Sequence, residues 1–496
     1  MIKLIKLMKQ IISIISISLI MLLIGCKKEV PTNEVNNEEP VMSSFKFESK
    51  NNPGIIDFDV VGEINGHDIT VRLPKTVLLT KLVASFEVAN ENTVTVNGVS
   101  QKSGITANDF SSSIDYLVSS KDGKANALYS VKIIKSAGEW KPFNSFNKIP
   151  VKSALMKINP KDNLLYLVIN DKKTDKLSVF KLKNEQFVSI GNEVSGLVKS
   201  SAFSVFDMAF SKSGNMYLCY SLYQPQAKVF PLAMLKYDGS NWSTIKNESS
   251  DFTSSKINIA VLSDKEVIVN HINESKKSKY KRNSLLISSY DGKELKTEKV
   301  VTGGEQGVWL NTICSSGNYV YSAFIYRSKN NGVNFGHEVL QYNSGKWTSL
   351  RNNFLQPGAT QTGMSILDIK STDNGTVYLL TADDAAQKGV YHFRVEKYLN
   401  DKWENVGSPL PYIHGDRHDM AILSIAPDGT PYVAYYDNKN TTVFVSNYEE
   451  TSKSWSEPVA VVKGKITGLN FDFASSGAGY IAFTDANGEE KIYIYK

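Results

Sequence analysis

The sequence predicts an all-β protein in which a small β-sandwich precedes a seven-bladed β-propeller. Short strand-like runs fill residues 44–136, and turn sequences such as Asn65-Gly66, Asn97-Gly98 and Asp122-Gly123 separate them. From residue 137 onwards a four-strand unit recurs to the end of the chain. The 496 residues are 42% hydrophobic and 21% charged, which suffices for two or three globular domains and excludes a wholly disordered or collagen-like chain.

The first 25 residues predict a lipoprotein signal peptide. Lys3, Lys6 and Lys9 precede an apolar run at residues 11–24, which is too short to span a bilayer. The run ends in Leu23-Ile24-Gly25-Cys26, which resembles the bacterial lipobox and implies that Cys26 is lipidated. Residues 26–43 carry charge, Pro and Asn without an aromatic residue, so they predict a disordered tether.

The tether start Lys27-Lys28-Glu29 resembles the charged tag of surface-exposed lipoproteins in Gram-negative glycan users. This resemblance implies an outer-membrane protein that is anchored by lipid and exposed at the cell surface, with the periplasmic face as the alternative. The membrane is then a partner through Cys26.

Charge and cysteine content exclude two further classes of protein. The formal net charge is +6, and removal of Lys3, Lys6 and Lys9 would leave +3, so we expect no nucleic-acid partner. Three cysteines do not make a disulfide scaffold, and Cys219 and Cys314 are expected to be buried thiols. We expect no cofactor.

Residues 44–136 predict an Ig-like β-sandwich, because about seven short alternating strands occupy roughly ninety residues. The stretch from Gly66 through Leu73-Pro74 to Tyr129-Ser130-Val131-Lys132-Ile133 resembles an uncharacterised sandwich module of bacterial surface lipoproteins. That resemblance implies a spacer or adhesion role, of which the spacer is the favoured interpretation.

Residues 137–496 predict the propeller, because each unit ends in an outer strand with a central aromatic or Leu residue. These residues are Trp140, Phe187, Trp242, Leu295, Trp347, Trp403 and Trp455. The units are expected to begin near Ala154, Phe206, Ile257, Trp309, Ser365, Met420 and Gly468. The last unit lacks its fourth strand and the strand at Trp140 has no blade of its own, so the two should pair near Ile494 and close the ring. Six or eight blades remain alternatives.

The repeat sequences resemble those of sialidase-like and related bacterial propellers. Pro427-Asp428-Gly429-Thr430-Pro431-Tyr432, followed by a late Trp, carries this resemblance, and residues 371–378 approximate the sialidase Asp-box. The box, however, falls on the first-to-second turn, whereas that family has it on the third-to-fourth turn. The family's arginine clamp and its Tyr nucleophile with a Glu partner have no convincing match here.

Loop lengths predict which face of the propeller binds a ligand. Links between second and third strands are expected to be long in blades two to five, at residues 223–231, 273–283, 326–336 and 382–389. Aromatic, His, Asp and Arg side chains there suit sugar rings, although such residues also simply favour loops. The wider aromatic inventory of this face includes Tyr223, Phe230, Tyr280 and Phe335. The candidate ligand-binding residues are Trp309, Tyr326, Arg327, His337, Tyr391, Tyr412, His414, Asp416, Arg417 and His418.

Each of two charged segments on this face can be interpreted either as a binding site or as a solvated surface segment. His414-Gly415-Asp416-Arg417-His418-Asp419 could bind a divalent metal, but a capped, solvated loop is favoured and no metal is assigned. The basic run at residues 276–282 could contact acidic polysaccharide, but solvated charge is favoured.

The favoured function is a non-catalytic surface protein that binds glycan or another extracellular ligand. The alternatives are a polysaccharide hydrolase or lyase and a scaffold that binds envelope proteins. The acids Asp383, Asp384, Asp416 and Asp437 are available for glycosidase chemistry, yet no spacing pairs them.

Overall fold

The computed structural model describes residues 39–89, 91–197, 205–224, 229–247, 252–301, 307–328, 334–354, 364–384, 390–410, 413–414 and 421–495. These residues form forty strands and one short 3-10 helix, Ser49–Asn51. None of the helical structure in these ranges is long and apolar enough to cross a membrane.

Two sheets that face each other across one core form the first part of the chain. One sheet has the order β2-β1-β5-β8 and the other β3-β4-β10-β9-β6-β7. Alternating residues such as Ile69, Val71 and Leu73 point into a core that also contains Phe45 and Tyr116. The strands are β1 Met42–Phe47, β2 Val60–Val61, β3 Glu63–Asn65, β4 Asp68–Pro74, β5 Leu82–Val88, β6 Thr93–Val96, β7 Val99–Ser100, β8 Ala107–Asn108, β9 Ile114–Ser119 and β10 Asn126–Ser136.

The rest of the described chain forms a closed ring of seven blades, of which blades 2 and 3 are joined through their outer strands into one eight-stranded sheet, so the predicted seven-bladed propeller is confirmed. The first strands of neighbouring blades contact one another all the way round the ring, which places them innermost. Blades 1 to 3 consist of β12 Val151–Ile158, β13 Leu165–Asp171, β14 Leu177–Lys183 and β15 Gln186–Val194; β16 Phe206–Phe210, β17 Met216–Ser221, β18 Leu232–Tyr237 and β19 Trp242–Asn247; and β20 Ser254–Ser263, β21 Glu266–Asn273, β22 Leu285–Tyr290 and β23 Glu294–Val301.

Blades 4 to 7 continue the same order from the axis outwards. Blade 4 consists of β24 Val308–Ser316, β25 Tyr319–Ser328, β26 Asn334–Asn343 and β27 Lys346–Phe354, and blade 5 of β28 Met364–Ser371, β29 Val377–Asp384, β30 Val390–Leu399 and β31 Lys402–Asn405, with β32 Ile413–His414 also paired to β30. Blade 6 consists of β33 Ala421–Ile425, β34 Pro431–Asp437, β35 Thr442–Glu449 and an outer strand that is divided into β36 Ser454–Trp455 and β37 Val459–Lys463. Blade 7 contains β38 Ile466–Phe473, β39 Gly479–Asp485 and β40 Glu490–Tyr495.

The ring closes as the sequence predicts. An eleventh strand, β11 Trp140–Phe146, precedes blade 1 and pairs antiparallel with β40, so that it forms the outer strand of blade 7. Trp140 lies opposite Tyr495, and Lys141 lies opposite Ile494. Both ends of the propeller are therefore held in one sheet.

The outer tryptophans of the blades are structural. Trp242, Trp347 and Trp403 each lie against a tyrosine of the neighbouring third strand, with ring centroids 5.0–5.2 Å apart. Trp455 donates through Nε1 to the Val406 carbonyl of the preceding blade at 2.8 Å. The repeated aromatic thus fixes each outer strand and links neighbouring blades.

Candidate ligand-binding face

The two faces of the propeller are built differently. We call the face that carries the first-to-second and third-to-fourth links the turn face, and the opposite one the loop face. Turns on the turn face are as short as residues 264–265 and 317–318. On the loop face, residues 222–231 of blade 2 and 274–284 of blade 3 separate second and third strands. The predicted asymmetry between the faces is confirmed for these two blades.

In blades 4 and 5 the predicted loop bounds 326–336 and 382–389 are wrong, because strand pairing extends into both ranges, while residues 329–333 and 385–389 lie outside the described residues. The β25–β26 ladder extends from Val320 opposite Tyr342 to Ser328 opposite Asn334. The β29–β30 ladder extends to Asp384 opposite Tyr391. In these two blades the described parts of the predicted loops are therefore paired strand ends on the loop face.

The sandwich packs against the turn face at blades 6 and 7. Thr76 donates through Oγ1 to the Gly477 carbonyl at 2.7 Å, and Lys75 Nζ donates to Asn447 Oδ1 at 3.0 Å. Ser476 is hydrogen-bonded to Asp57, and Lys135 lies 3.6 Å from Asp428. The loop face is therefore the face directed away from the sandwich.

Two of the predicted ligand-binding residues are buried, which corrects the expectation that they face a ligand. Tyr326 is 4% exposed because its ring packs over Gly336 and into the core of blades 3 and 4. Burial raises the pKa of Tyr326 to about 12. His337 is 5% exposed, and burial and the nearby Arg351 lower its pKa to about 4.

His337 belongs to an ion-pair network between blades 4 and 5. Arg351 forms a bidentate pair with Glu396 at 2.6 and 2.7 Å, and its Nη1 lies 3.2 Å from His337 Nε2. The guanidinium also lies 4.4 Å from the ring centroid of Trp403. A buried network of this kind joins blades and offers no group to a ligand.

His271 of β21 is fully buried between two serines. Its Nδ1 lies 3.0 Å from Ser254 Oγ and its Nε2 3.3 Å from Ser288 Oγ. Burial lowers its pKa to about 3, so the imidazole is neutral and structural.

Trp309 begins the innermost strand of blade 4 and is half-buried. One side of the indole packs against the core between blades 4 and 5. The Lys256 ammonium lies 4.9 Å from the ring centroid and is hydrogen-bonded to the Trp309 carbonyl. A ligand would therefore share this ring with a cation that is already in place.

An aromatic pair on the blade 2 loop presents a surface that is more open than that of Trp309. Tyr223 and Phe230 stack with centroids 5.6 Å apart and an interplanar angle of 25°. Tyr223 is 49% exposed, and it is the one aromatic residue among the large apolar side chains that the described ranges expose. Its backbone is fixed, because Tyr223 N donates to the Gly196 carbonyl at 2.6 Å and Phe230 accepts from Ser254 N at 2.8 Å.

The blade 3 loop beside it is ordered around one buried amide. Asn273 donates through Nδ2 to the carbonyls of Tyr280 and Lys281 at 3.0 and 3.2 Å, and its Oδ1 accepts from Ser275 N at 3.0 Å. The basic run at residues 276–282 is displayed on this loop, and Lys276 and Lys277 are exposed.

Aspartates on the innermost strands join blades in a way that the sequence analysis missed. Asp207 accepts from Met208 N at 2.8 Å and from Ile259 N of the next blade at 3.0 Å. Asp368 does the same with Ile369 N and Leu423 N, at 2.9 and 3.2 Å. A recurring Asp at one position of the first strand, as in Phe206-Asp207, Leu367-Asp368 and Phe471-Asp472, was the available signal.

The other candidate residues are placed only in part. Arg327 lies in β25, Tyr391 in β30 and His414 in β32 opposite Val390, while their side chains lie outside the described part of the structure. Tyr412, Asp416, Arg417 and His418 lie outside the described residues altogether. The structure therefore brings no pair of the ten predicted residues together through described side-chain contacts.

Cysteine chemistry and metal binding have little support in the described ranges. Cys219 is a buried free thiol, as expected, whereas Cys314 is a free thiol that is half-buried; burial raises both pKa values, that of Cys314 to about 12. Within the residues that the structure describes, no group of three or more His, Cys, Asp or Glu side chains is placed to hold a metal ion.

Comparison with known proteins gives one family match, in the first part of the chain. Residues 42–133 match the family described as SGBP, N-terminal. Curated proteins give no match.

Three similar solved structures match this chain at low identity. An ulvan lyase, which is a polysaccharide lyase, has 10% identity and a TM-score of 0.48 over 71% of this chain and 94% of that chain. The oligogalacturonate lyase of Vibrio parahaemolyticus has 11% identity and a TM-score of 0.44 over 73% and 98% of the two chains. The periplasmic gluconolactonase of Pseudomonas aeruginosa has 11% identity and a TM-score of 0.43 over 75% and 96%. Likeness at this level carries no conclusion about the ligand of this chain, but the match at residues 42–133 relates its sandwich to the SGBP family.

Proposed function

We propose that this protein is a non-catalytic surface lipoprotein that captures glycan on the loop face of its propeller. In this proposal Cys26 carries the lipid, residues 26–43 are the tether, residues 44–136 are an Ig-like spacer and residues 137–496 bind the ligand. The match of residues 42–133 to the SGBP family supports the proposal, because this family is associated with glycan binding at the cell surface.

The packing of the sandwich supports the choice of face. A chain anchored ahead of the sandwich approaches the propeller from the turn face, where Thr76 and Lys75 make their contacts. The loop face then points away from the membrane, towards extracellular polymers.

The single observation that carries glycan binding is the exposed stack of Tyr223 on Phe230. Sugar rings pack their axial C–H groups on flat aromatic faces, while a second ring behind the first holds the platform in place. Because the backbone of Tyr223 is already hydrogen-bonded to Gly196, little freedom is lost when a sugar binds.

The proposal is tested with residues 27–496 and a panel of polysaccharides. Retention on each polysaccharide and the appearance of new reducing or unsaturated ends are measured on the same samples. We expect retention without new ends. Turnover would contradict the proposal and indicate a hydrolase or lyase. If the protein neither retains nor cleaves any polysaccharide, the scaffold alternative is favoured, and capture of envelope proteins is the measurement that tests it.

The Tyr223→Ala variant tests whether polysaccharide is retained on the Tyr223–Phe230 stack. Loss of one stacked ring is expected to weaken retention about 3- to 10-fold. Tyr319→Ala is the matched control, because Tyr319 is also stacked, on Tyr321 at 6.2 Å, but begins a strand at the turn face. Equal effects of the two substitutions would contradict the assignment.

A further inference from the structure

A groove of about 570 Å³ opens between blades 6 and 7, on the part of the ring where the loop-face connections are short. One wall is the outer strand β37 of blade 6 and the link at residues 464–465. The other wall is the closing pair β11 and β40 of blade 7. The volume lies within the range that small-molecule sites occupy.

Three lysines, Lys463, Lys465 and Lys491, give the groove its charge. Lys463 ends β37 opposite Thr442, and Lys465 precedes Ile466 at the start of β38, so the link carries both side chains from blade 6 to blade 7. Both are exposed, and neither has a carboxylate partner within the described ranges.

The negative charge of Asp485, which lines the groove, is already balanced by hydrogen bonds and by a lysine. Asp485 Oδ1 accepts from Asn487 N at 2.9 Å and from Glu489 N at 3.0 Å, and its Oδ2 lies 3.8 Å from Lys491. Lys491 is also paired with Glu489. The uncompensated charge of the groove is therefore that of Lys463 and Lys465, which favours an anion.

The opposite wall is aromatic. Tyr493 of β40 is half-buried in it and lies 5.9 Å from Phe483 with an interplanar angle of 32°. A free inorganic anion would leave the Tyr493 ring uncovered. A ligand with a flat apolar face and an acidic group would use both walls at once.

From this combination we infer that the groove is a second glycan site, specific for acidic polysaccharide. A carboxylate or sulfate group lies between Lys463 and Lys465, and the sugar ring lies against Tyr493. The inference rests on the proposed glycan binding but concerns different residues from Tyr223, so the two can fail separately.

The test compares charged and neutral forms of the same backbone. Binding of residues 27–496 is measured by titration with polygalacturonate and its methyl ester, and with dextran sulfate and dextran. The variant Lys463→Gln with Lys465→Gln removes the two charges. The control Lys172→Gln with Lys173→Gln removes the same charge from two exposed lysines between β13 and β14 of the loop face.

We expect the protein to bind at least one charged polymer more tightly than its neutral form. The substitutions at Lys463 and Lys465 should weaken that binding about tenfold, while the control leaves it unchanged and both variants unfold at the temperature of the parent protein. Weaker binding of polygalacturonate in the variant with Lys463→Gln and Lys465→Gln would indicate a carboxylate site, and weaker binding of dextran sulfate would indicate a sulfate site.

Three results would overturn the inference. Equal losses in the two lysine variants would mean general charge attraction. Unchanged binding in the first variant would place the acidic group elsewhere. Retention of neutral glycans alone would leave the proposed function standing while removing this site, whereas a protein that binds no glycan would remove both.

Discussion

At the scale of single residues, side chains that join neighbouring blades account for much of the buried polarity of the ring. Arg351 pairs with Glu396 of the next blade with side-chain exposures of only 11% and 20%, and it also stacks on Trp403. A charge buried in this way is stabilising only while its partner is present, because an unpaired carboxylate would have to be desolvated without compensation.

Arg351→Met is therefore expected to lower the free energy of unfolding by about 3–5 kcal/mol. Urea denaturation followed by tryptophan fluorescence measures the loss. Lys141→Ala, which breaks the exposed pair with Glu139, is the control and should cost less than about 1 kcal/mol. Similar losses in the two variants would contradict a buried network.

Residue identity alone could not separate ligand-binding aromatics from core aromatics. Tyr326 and His337 flank a sequence with turn-forming Asn and Gly residues, yet both lie on paired strands and are buried. Tyr223, in a predicted loop with Gln and Pro around it, lies beyond the end of β17 and is 49% exposed. Exposure depends on where pairing stops, which a single sequence defines poorly.

At the scale of elements, the β25–β26 hairpin shows how one glycine permits a long ladder. A Cβ atom on Gly336 would lie 2.5 Å from the ring of Tyr326, which is directly opposite on the partner strand. Because Tyr326 is enclosed by the core of blades 3 and 4, its ring cannot simply move aside.

Gly336→Ala is expected to destabilise the protein by about 1–3 kcal/mol through overpacking. Thermal or urea unfolding measures the change. Tyr326→Leu in the same chain restores space, so the double variant should lose less stability than the sum of the two single variants. Strict additivity would show that Gly336 and Tyr326 do not interact.

The elements themselves were largely predictable, because each blade repeats the same local chemistry. Tight turns and the outer aromatic mark three of the four strands in almost every unit, and the pairing of Trp140 with the last strand follows from the need to cover an open sheet edge. The added strand β32 and the division of the blade 6 outer strand into β36 and β37 were not predicted, since they interrupt the repeat.

At the scale of the whole molecule, the strand pair that closes the ring, β11 and β40, contains a buried carboxyl group. Glu490 lies opposite Phe146 of β11 and is fully buried, and its Oε2 accepts from Thr484 Oγ1 at 2.7 Å. Burial raises its pKa to about 8, so the folded state retains the proton that an unfolded glutamate releases near pH 4.3. Its contribution to stability therefore falls as pH rises from about 4 to about 8.

Glu490→Gln retains the shape of the neutral acid and removes this dependence. We expect the variant to match the parent protein at pH 4 and to exceed its stability at pH 8 by about 1–4 kcal/mol, measured by urea denaturation at both values. Glu87→Gln, at an exposed position of the sandwich, should show no such difference between the two pH values. A Glu490→Gln variant that tracks the parent protein at both pH values would contradict a protonated Glu490.

The orientation of the whole molecule connects the fold to the proposed function. The sandwich contacts the turn face, and both proposed sugar-binding surfaces, the Tyr223 platform and the groove at Lys463, involve connections of the loop face. An anchored chain would thus present both surfaces to the same extracellular polymer, which allows avidity between them.

Hydrogen–deuterium exchange with a retained polysaccharide tests the central claim of loop-face binding most directly. The account predicts that bound glycan slows exchange at peptides covering 222–231 or 463–466 and leaves turn-face peptides covering 317–318 and 426–430 unchanged. Protection confined to the turn face or to the sandwich would contradict it.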